Sequence, residues 1–137
     1  MKESYALHAR QIGIDWRGRR YDRANPTASD LPNQALNHAA SAVEAAAAIA
    51  VSATATIPQL GFIHQDPGQA FVLDIADLYR DSLTIPTAFK AARQVRDNPR
   101  ENFERVTRRF VGRELGRQKT IPAMIDRIKT LFAEETA

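Results

Sequence analysis

A run of alanines between Leu31 and Ala55 constrains the fold of this chain more than any other feature. The segment reads LPNQALNHAASAVEAAAAIAVSATA, and after Pro32 it holds neither proline nor glycine. Alanine has the highest helix propensity of the amino acids, so we predict one long helix here. Its small side chains would let neighbouring helices approach closely, which favours a mostly α fold.

Five further helices are predicted, and alternating strand patterns are scarce. Apolar spacing and proline positions place them at Glu3 to Ile12, Gln69 to about Asp81, Pro86 to about Arg96, Glu101 to Leu115, and from Pro122 onward. Their expected core contacts are Phe71, Leu73, Ile75 and Leu78, then Phe103, Val106, Phe110 and Val111, and finally Ile125, Ile128, Leu131 and Phe132. We therefore assign residues 1–137 to a single compact helical domain.

Composition excludes several other classes of protein. A hydrophobic content of 44% with 26% charged residues indicates a globular chain that is neither disordered nor membrane-embedded. The alanine run comes nearest to a membrane span, but Glu44 and several hydroxyl residues interrupt it. The chain has no cysteine, which excludes disulfides and thiolate metal sites and fits a cytoplasmic location.

The charges are distributed unevenly along the chain. The net charge is only +3, yet no Lys or Arg occurs from Ala24 to Tyr79, where all charged residues are acidic. The cations lie before this segment or between Arg80 and Lys129. A basic surface around an acidic centre suits a polyanion held against a metal site. The alternative is that the arginine-rich helices simply present solvated faces.

Two aspartates in a mostly apolar segment are the candidate metal ligands. Asp74 and Asp77 lie three residues apart in a predicted helix, so their side chains share one face and repel each other. A divalent cation removes that repulsion, and His64 could add a nitrogen ligand. This donor set suits Mn²⁺ or Mg²⁺ better than a structural zinc. Alternatively, one carboxylate interacts with the helix dipole and the other is an ordinary surface residue.

Two groups of cations are candidate nucleic-acid contacts. Arg105 and Arg108 share a helical face, with Lys119 beyond them, and neighbouring arginines contact phosphates bidentately. The stretch WRGRRYD, residues 16–22, combines three arginines with two aromatic residues, a pattern found where proteins bind a nucleic-acid backbone.

The aromatic residues of this stretch, and two histidines elsewhere in the chain, can also be explained by structural roles alone. Trp16 and Tyr21 would then anchor the loop to the core, with Arg20 paired to Asp22. We expect Trp16 to be mainly structural. We expect packing or solvation roles for His8 and His38, which have no partner pattern.

Three stretches together resemble one protein family. They are YALHARQIGIDWRGRRYD, GFIHQDPGQAFVLDIADLYRDSLTIPTAFKAAR and KTIPAMIDRIKTLF. In this order they closely resemble the integrase and nuclease subunit of the CRISPR spacer-acquisition complex, nearest to the subtype paired with Cascade-type interference. G-F-I-H followed ten residues later by D-I-A-D is the most specific block, and W-x-G-R-R-Y-D is a second, independent one.

The resemblance implies both a fold and an activity. Members of that family have an N-terminal β-rich domain used in dimerisation and a C-terminal helical domain with the active site, and this chain resembles the helical domain alone. The implied activity is metal-dependent DNA cleavage and integration, in which a DNA 3′-hydroxyl or water attacks a phosphodiester. The implied partners are branched or spacer DNA, a second copy of the chain, and a small ferredoxin-like adaptation protein.

The resemblance also assigns roles to individual residues. His64 and Asp77 would bind Mg²⁺ or Mn²⁺, with Asp74 supporting the site, and these three would be the catalytic residues. The implied DNA contacts or active-site groups are Arg19, Tyr21, Arg105, Arg108 and Lys119.

Three departures from the family pattern bear on activity. The family glutamate that completes the metal site falls just before Met1, and Glu3 would point about 240° away from it around the helix. Glu44 stands where a tyrosine is expected, and Pro67 stands where a close relative has a lysine. Metal binding and cleavage are therefore expected to be weakened. The alternative function is a catalytically deficient DNA-binding or interaction module derived from the same integrase.

Overall fold

Residues 2–20, 30–54 and 68–136 are described by the computed structural model, without the side chains of 68, 69 and 132–136. Within these ranges the chain forms six α-helices and no strand, which confirms the predicted mostly α class. The helices are α1 (Lys2–Ile12), α2 (Leu31–Thr54), α3 (Gly68–Asp77), α4 (Ile85–Asp97), α5 (Phe103–Arg117) and α6 (Thr120–Thr136), and a π-helical segment (Arg80–Thr84) precedes α4.

Helix α2 is the centre of the domain, and other helices approach it closely, as its small side chains predicted. It packs against α3, α4, α5 and α6. The alanines on its inner side are almost completely buried: Ala35, Ala39, Ala46, Ala47 and Ala50. Because their side chains end at Cβ, several helices approach the α2 backbone at once.

Larger side chains from the surrounding helices fill the space around α2. Those without appreciable solvent exposure are Ile75, Leu83, Ile85, Phe89, Val111, Met124 and Ile128. Phe89 also belongs to an aromatic cluster, in which Trp16 stacks on Tyr5 with ring centroids 5.1 Å apart and lies 5.2 Å from Phe89. This cluster joins α1 and the following segment to α4, so Trp16 has the structural role expected of it.

The predicted helix from Gln69 to about Asp81 is too long. Helix α3 ends at Asp77, and a turn at residues 78–79 leads into the π-helical segment. Two predicted core contacts are therefore wrong, because Leu73 is 37% exposed and Leu78 is 53% exposed. Leu73 lies on the face of α3 opposite the buried Ile75, and Leu78 follows the helix end, where the 3.6-residue period no longer applies.

The remaining helices begin close to their predicted positions. Pro86 lies in the first turn of α4, where its missing N–H leaves no bond unmade. Helix α5 begins two residues later than predicted, because Asn102 caps it by accepting a hydrogen bond from the Arg105 backbone N–H at 2.9 Å. Among the described helices, none is both long and apolar enough to cross a membrane.

Close packing around α2 predicts that an added side chain there is destabilising. We expect Ala47→Leu, at a fully buried position, to lower the free energy of unfolding by roughly 1–3 kcal/mol through overpacking. Ala48→Leu, at the next and solvent-exposed position, is the matched control and should have little effect. Urea denaturation measures both, and equal stabilities of the two variants would contradict a close-packed α2.

Candidate nucleic-acid interface and acidic site

The basic segment before α2 is fixed by one buried asparagine. Asn33 has no solvent exposure, and its Oδ1 accepts hydrogen bonds from the Arg19 side chain and the Arg20 backbone N–H, both at 2.8 Å. Its Nδ2 donates to the Gly18 carbonyl at 2.9 Å and to Asp30 Oδ1 at 2.8 Å. A segment without regular secondary structure is thereby held against the N-terminal turn of α2.

Arg19 is consequently held in a defined position. Besides its bond to Asn33, its guanidinium donates to Asn37 Oδ1 at 2.7 Å. Arg19 also lines a small cavity of about 30 Å³ together with Arg80, Tyr5 and Thr84. This cavity brings the predicted DNA contact Arg19 close to the segment that follows the paired aspartates.

The two candidate acids lie on the exterior of α3. Asp74 and Asp77 are both exposed and lie at positions i and i+3 of the helix, so they share a face as predicted. Asp77 accepts a hydrogen bond from Arg80 at 3.0 Å, in an ion pair whose side chains are 61% and 39% exposed, respectively. Exposed pairs of this kind are worth only about 0–1 kcal/mol, so a cation can replace Arg80 at little cost.

The donor chemistry of these acids fits a hard divalent cation but does not complete a site. Carboxylate oxygens are the ligands that Mg²⁺ and Mn²⁺ prefer. Within residues 2–20, 30–54 and 68–136, no group of three or more His, Asp or Glu side chains is placed to hold a metal. Asp74 and Asp77 remain the two predicted acidic ligands that the structure describes. The third predicted ligand, His64, lies outside the described residues, as does the predicted DNA contact Tyr21.

The predicted phosphate contacts on α5 come together in a surface groove. Arg105 and Arg108 line it with Asn102, Glu104 and Arg109, and this open groove has a volume of about 510 Å³. Arg108 is partly neutralised by Glu104, at 2.6 Å. Lys119 lies outside this groove, in the turn after α5, where its φ of 52° ends the helix in the left-handed region. The structure thus joins Arg105 with Arg108 and places Lys119 apart from them.

One polar cluster was not singled out in the sequence. Asp81, in the π-helical segment, accepts a hydrogen bond from the Ser4 hydroxyl and lies 3.3 Å from His8 Nε2. It connects α1 to the segment after the acids. Residues more than 70 positions apart carry no local pattern that predicts this contact. His38 packs edge-on against Phe103, with ring centroids 5.7 Å apart, in the packing role expected of it.

The chain is similar to curated CRISPR-associated endonucleases named Cas1. It is 38% identical over 118 residues to one from Methanospirillum hungatei, 34% over 128 residues to one from Rhodospirillum rubrum, and 34% over 134 residues to that of Escherichia coli. These alignments cover 86%, 89% and 97% of this chain. They cover only 38%, 41% and 42% of the relatives, so the chain spans about two fifths of their length.

Solved structures give the same result. The crystal structure of a TtCas1–DNA complex superposes with a TM-score of 0.80 at 34% sequence identity, over 96% of this chain and 48% of the other. A second crystal structure of TtCas1 superposes with a TM-score of 0.71 at 32% identity. No protein-family model matches the chain.

The position of Asn33 predicts a local effect of its removal. We expect Asn33→Ala to lower the free energy of unfolding by roughly 1–3 kcal/mol, because the donors and acceptors it satisfies lose their buried partner. Hydrogen exchange should accelerate at the Arg20 amide, which donates to Asn33 Oδ1. Gln11→Ala, which removes an exposed side-chain amide from α1, serves as control. Unchanged exchange at Arg20 would show that another group holds the segment.

Proposed function

Because this chain is a Cas1-family sequence that matches the C-terminal part of that family, we propose that it acts on DNA phosphodiesters as the helical domain of a CRISPR adaptation integrase. The observation that carries this proposal is the paired, exposed carboxylates of α3 within a fold that superposes on TtCas1 from its DNA complex. The reaction would be attack by a DNA 3′-hydroxyl, or by water in cleavage, on a phosphodiester.

Asp74 and Asp77 are the proposed acidic ligands, with His64 as the nitrogen ligand. A bound Mg²⁺ or Mn²⁺ would supply stabilisation of the negative charge that builds up on the phosphodiester. Asp77 becomes available when its exposed ion pair with Arg80 opens. Arg80 would then be released beside the DNA, where its guanidinium can contact a phosphate oxygen.

Positively charged side chains would hold the DNA against these acids. Arg19 is fixed by Asn33 and Asn37, so its guanidinium is ordered before DNA arrives. Arg105 and Arg108 share a groove on α5 in which two guanidiniums can contact one phosphate or two successive ones. Tyr21 and Lys119 complete the proposed set of DNA contacts. Branched or spacer DNA is the proposed substrate.

Protein partners are part of the same proposal. A second copy of the chain and a small ferredoxin-like adaptation protein would assemble with it during spacer acquisition.

A catalytically deficient DNA-binding module is the second candidate function. The structural observation in its favour is that Asp77, a proposed ligand, is paired with Arg80 at 3.0 Å. This module would bind DNA through the same cations without cleaving it. The two functions differ in whether DNA binding and metal binding depend on each other.

Metal titration separates the two functions. In isothermal calorimetry with MnCl₂, we expect Asp77→Ala to lower the Mn²⁺ affinity of the chain about 10–100-fold or more, because a ligand is lost. Cleavage of branched DNA in Mn²⁺ should fall in parallel. Asp126→Asn, which removes a carboxylate from the exposed side of α6, is the matched control and should change neither quantity.

The integrase proposal fails if neither Mn²⁺ nor Mg²⁺ binds at millimolar concentration. Salt-sensitive DNA binding that persists unchanged in Asp77→Ala would then support the binding module.

A further inference from the structure

The outer face of α5 carries more positive charge than the two arginines assigned to DNA so far. Arginines recur every fourth residue at positions 105, 109, 113 and 117, so they follow one ridge of the helix. Each step advances about 6 Å along the helix axis. Like charges at this spacing destabilise an isolated helix slightly for each such pair.

The carboxylates of α5 neutralise only part of this charge. Glu114 is held by Arg117 at 2.7 Å, and that hydrogen bond keeps the pKa of Glu114 below its usual value. Arg108 is paired with Glu104. Among the described side chains, no carboxylate lies within ion-pair distance of Arg105, Arg109 or Arg113. These three successive arginines of the ridge are therefore available to pair with an external anion.

Two of these guanidiniums lie against the same aromatic ring. The Arg109 and Arg113 guanidinium carbons lie 5.8 Å and 5.7 Å from the centroid of Phe110. Phe110 is half-buried and packs on the small core formed by Ala91, Val95 and Val106. Contacts of this kind contribute modestly at exposed sites, and they restrict the motion of both cations and reduce the entropy that binding must overcome.

The same face carries two glycines that nothing inside the described chain requires. Gly112 and Gly116 are exposed within α5, where glycine is less favourable than any residue except proline. A Cβ atom added at either position meets no described atom within 4 Å, and neither residue has a positive φ. Gly112 lies one turn after Arg108 and Arg109, so the glycines keep the backbone accessible beside the arginines.

We propose that the ridge formed by Arg105, Arg109 and Arg113, with the glycine gap at Gly112, is a contact surface for the sugar–phosphate backbone of duplex DNA. It extends the DNA track beyond Arg105 and Arg108, and it rests on the proposed DNA-binding function. The ridge spans about 12 Å, which equals the axial rise of roughly three to four base pairs of duplex DNA. Large exposed apolar side chains, which would anchor a protein partner, lie outside α5 among the described residues.

Salt-dependent binding tests the arginines. Binding of the full chain to a random-sequence duplex is measured in EDTA across a range of salt concentrations, comparing the parent with the double variant Arg109→Ala and Arg113→Ala. We expect affinity to fall about tenfold for each lost contact. The slope of log affinity against log salt should decrease by about 1 for each arginine.

A charge-matched control tests whether the loss of any two positive charges is enough to lower the slope. The double variant Arg10→Ala and Lys129→Ala removes two exposed cations from α1 and α6 and should leave the slope unchanged. The conservative variant Arg109→Lys with Arg113→Lys should keep most of the slope and lose part of the affinity, since lysine cannot bind bidentately. Equal slopes for the alanine variant and the parent overturn the proposal. So does unchanged DNA binding accompanied by lost binding to polyglutamate, which would identify a docking surface for acidic protein.

The glycine gap gives an independent readout. Gly112→Gln should raise the thermal midpoint by roughly 2–5 °C, because glutamine favours the helix and its Cβ has room. The same variant should bind duplex DNA less tightly, because its side chain fills the approach. A more stable variant with unchanged or tighter DNA binding would overturn the close-approach part of the proposal.

The conditions also separate this inference from the proposed catalytic function. EDTA removes divalent cations, so the binding measured in it does not require a metal at Asp74, Asp77 or His64. If the parent neither binds metal nor cleaves DNA, but the arginine double variant shows the expected decrease of the salt slope, the ridge proposal is supported and the integrase function is wrong. If the parent cleaves branched DNA and the arginine double variant binds duplex DNA as tightly as the parent does, the integrase function is supported and the ridge proposal is wrong.

Discussion

The close approach of four helices to the alanine face of α2 is the constraint on which the rest of the structure depends. Because Ala39, Ala47 and Ala50 have no atoms beyond Cβ, the surrounding helices pack close to the α2 backbone. The bulky side chains of the core, Phe89 and Ile128 among them, come from the surrounding helices. Each helix then presents its opposite face to solvent, and the candidate acids and arginines lie on those outer faces.

Buried polar contacts then set the position of individual cations on this scaffold. The segment before α2 has no regular secondary structure, and the Asn33 side chain supplies hydrogen bonds to it instead. Asn33 accepts two hydrogen bonds from that segment and donates one to it. Arg19 is thereby held next to the cavity that Arg80 also lines. An ordered guanidinium loses less entropy on binding a phosphate than a mobile one does, so the network would favour the DNA binding that we propose.

The candidate acidic site and the arginine ridge each group side chains of like charge on one helix. Asp74 and Asp77 concentrate negative charge on α3, and Arg105, Arg109 and Arg113 concentrate positive charge on α5. Intramolecular partners neutralise only some of these groups, through exposed ion pairs that are weak and easily exchanged. A cation at one site and a phosphate backbone at the other would relieve repulsion that the isolated domain retains.

The sequence alone determined the helical class, the central alanine helix and the pairing of Asp74 with Asp77, because propensity and helical period act within a few residues along the chain. It also grouped Arg105 with Arg108, which share a groove. Tertiary structure decided that α3 ends at Asp77 and that Asn33 fixes the basic segment. It also decided which arginines form ion pairs with a carboxylate of the described residues. These outcomes depend on contacts between residues far apart in the chain or on the choice among several carboxylates within reach, and no local pattern encodes either.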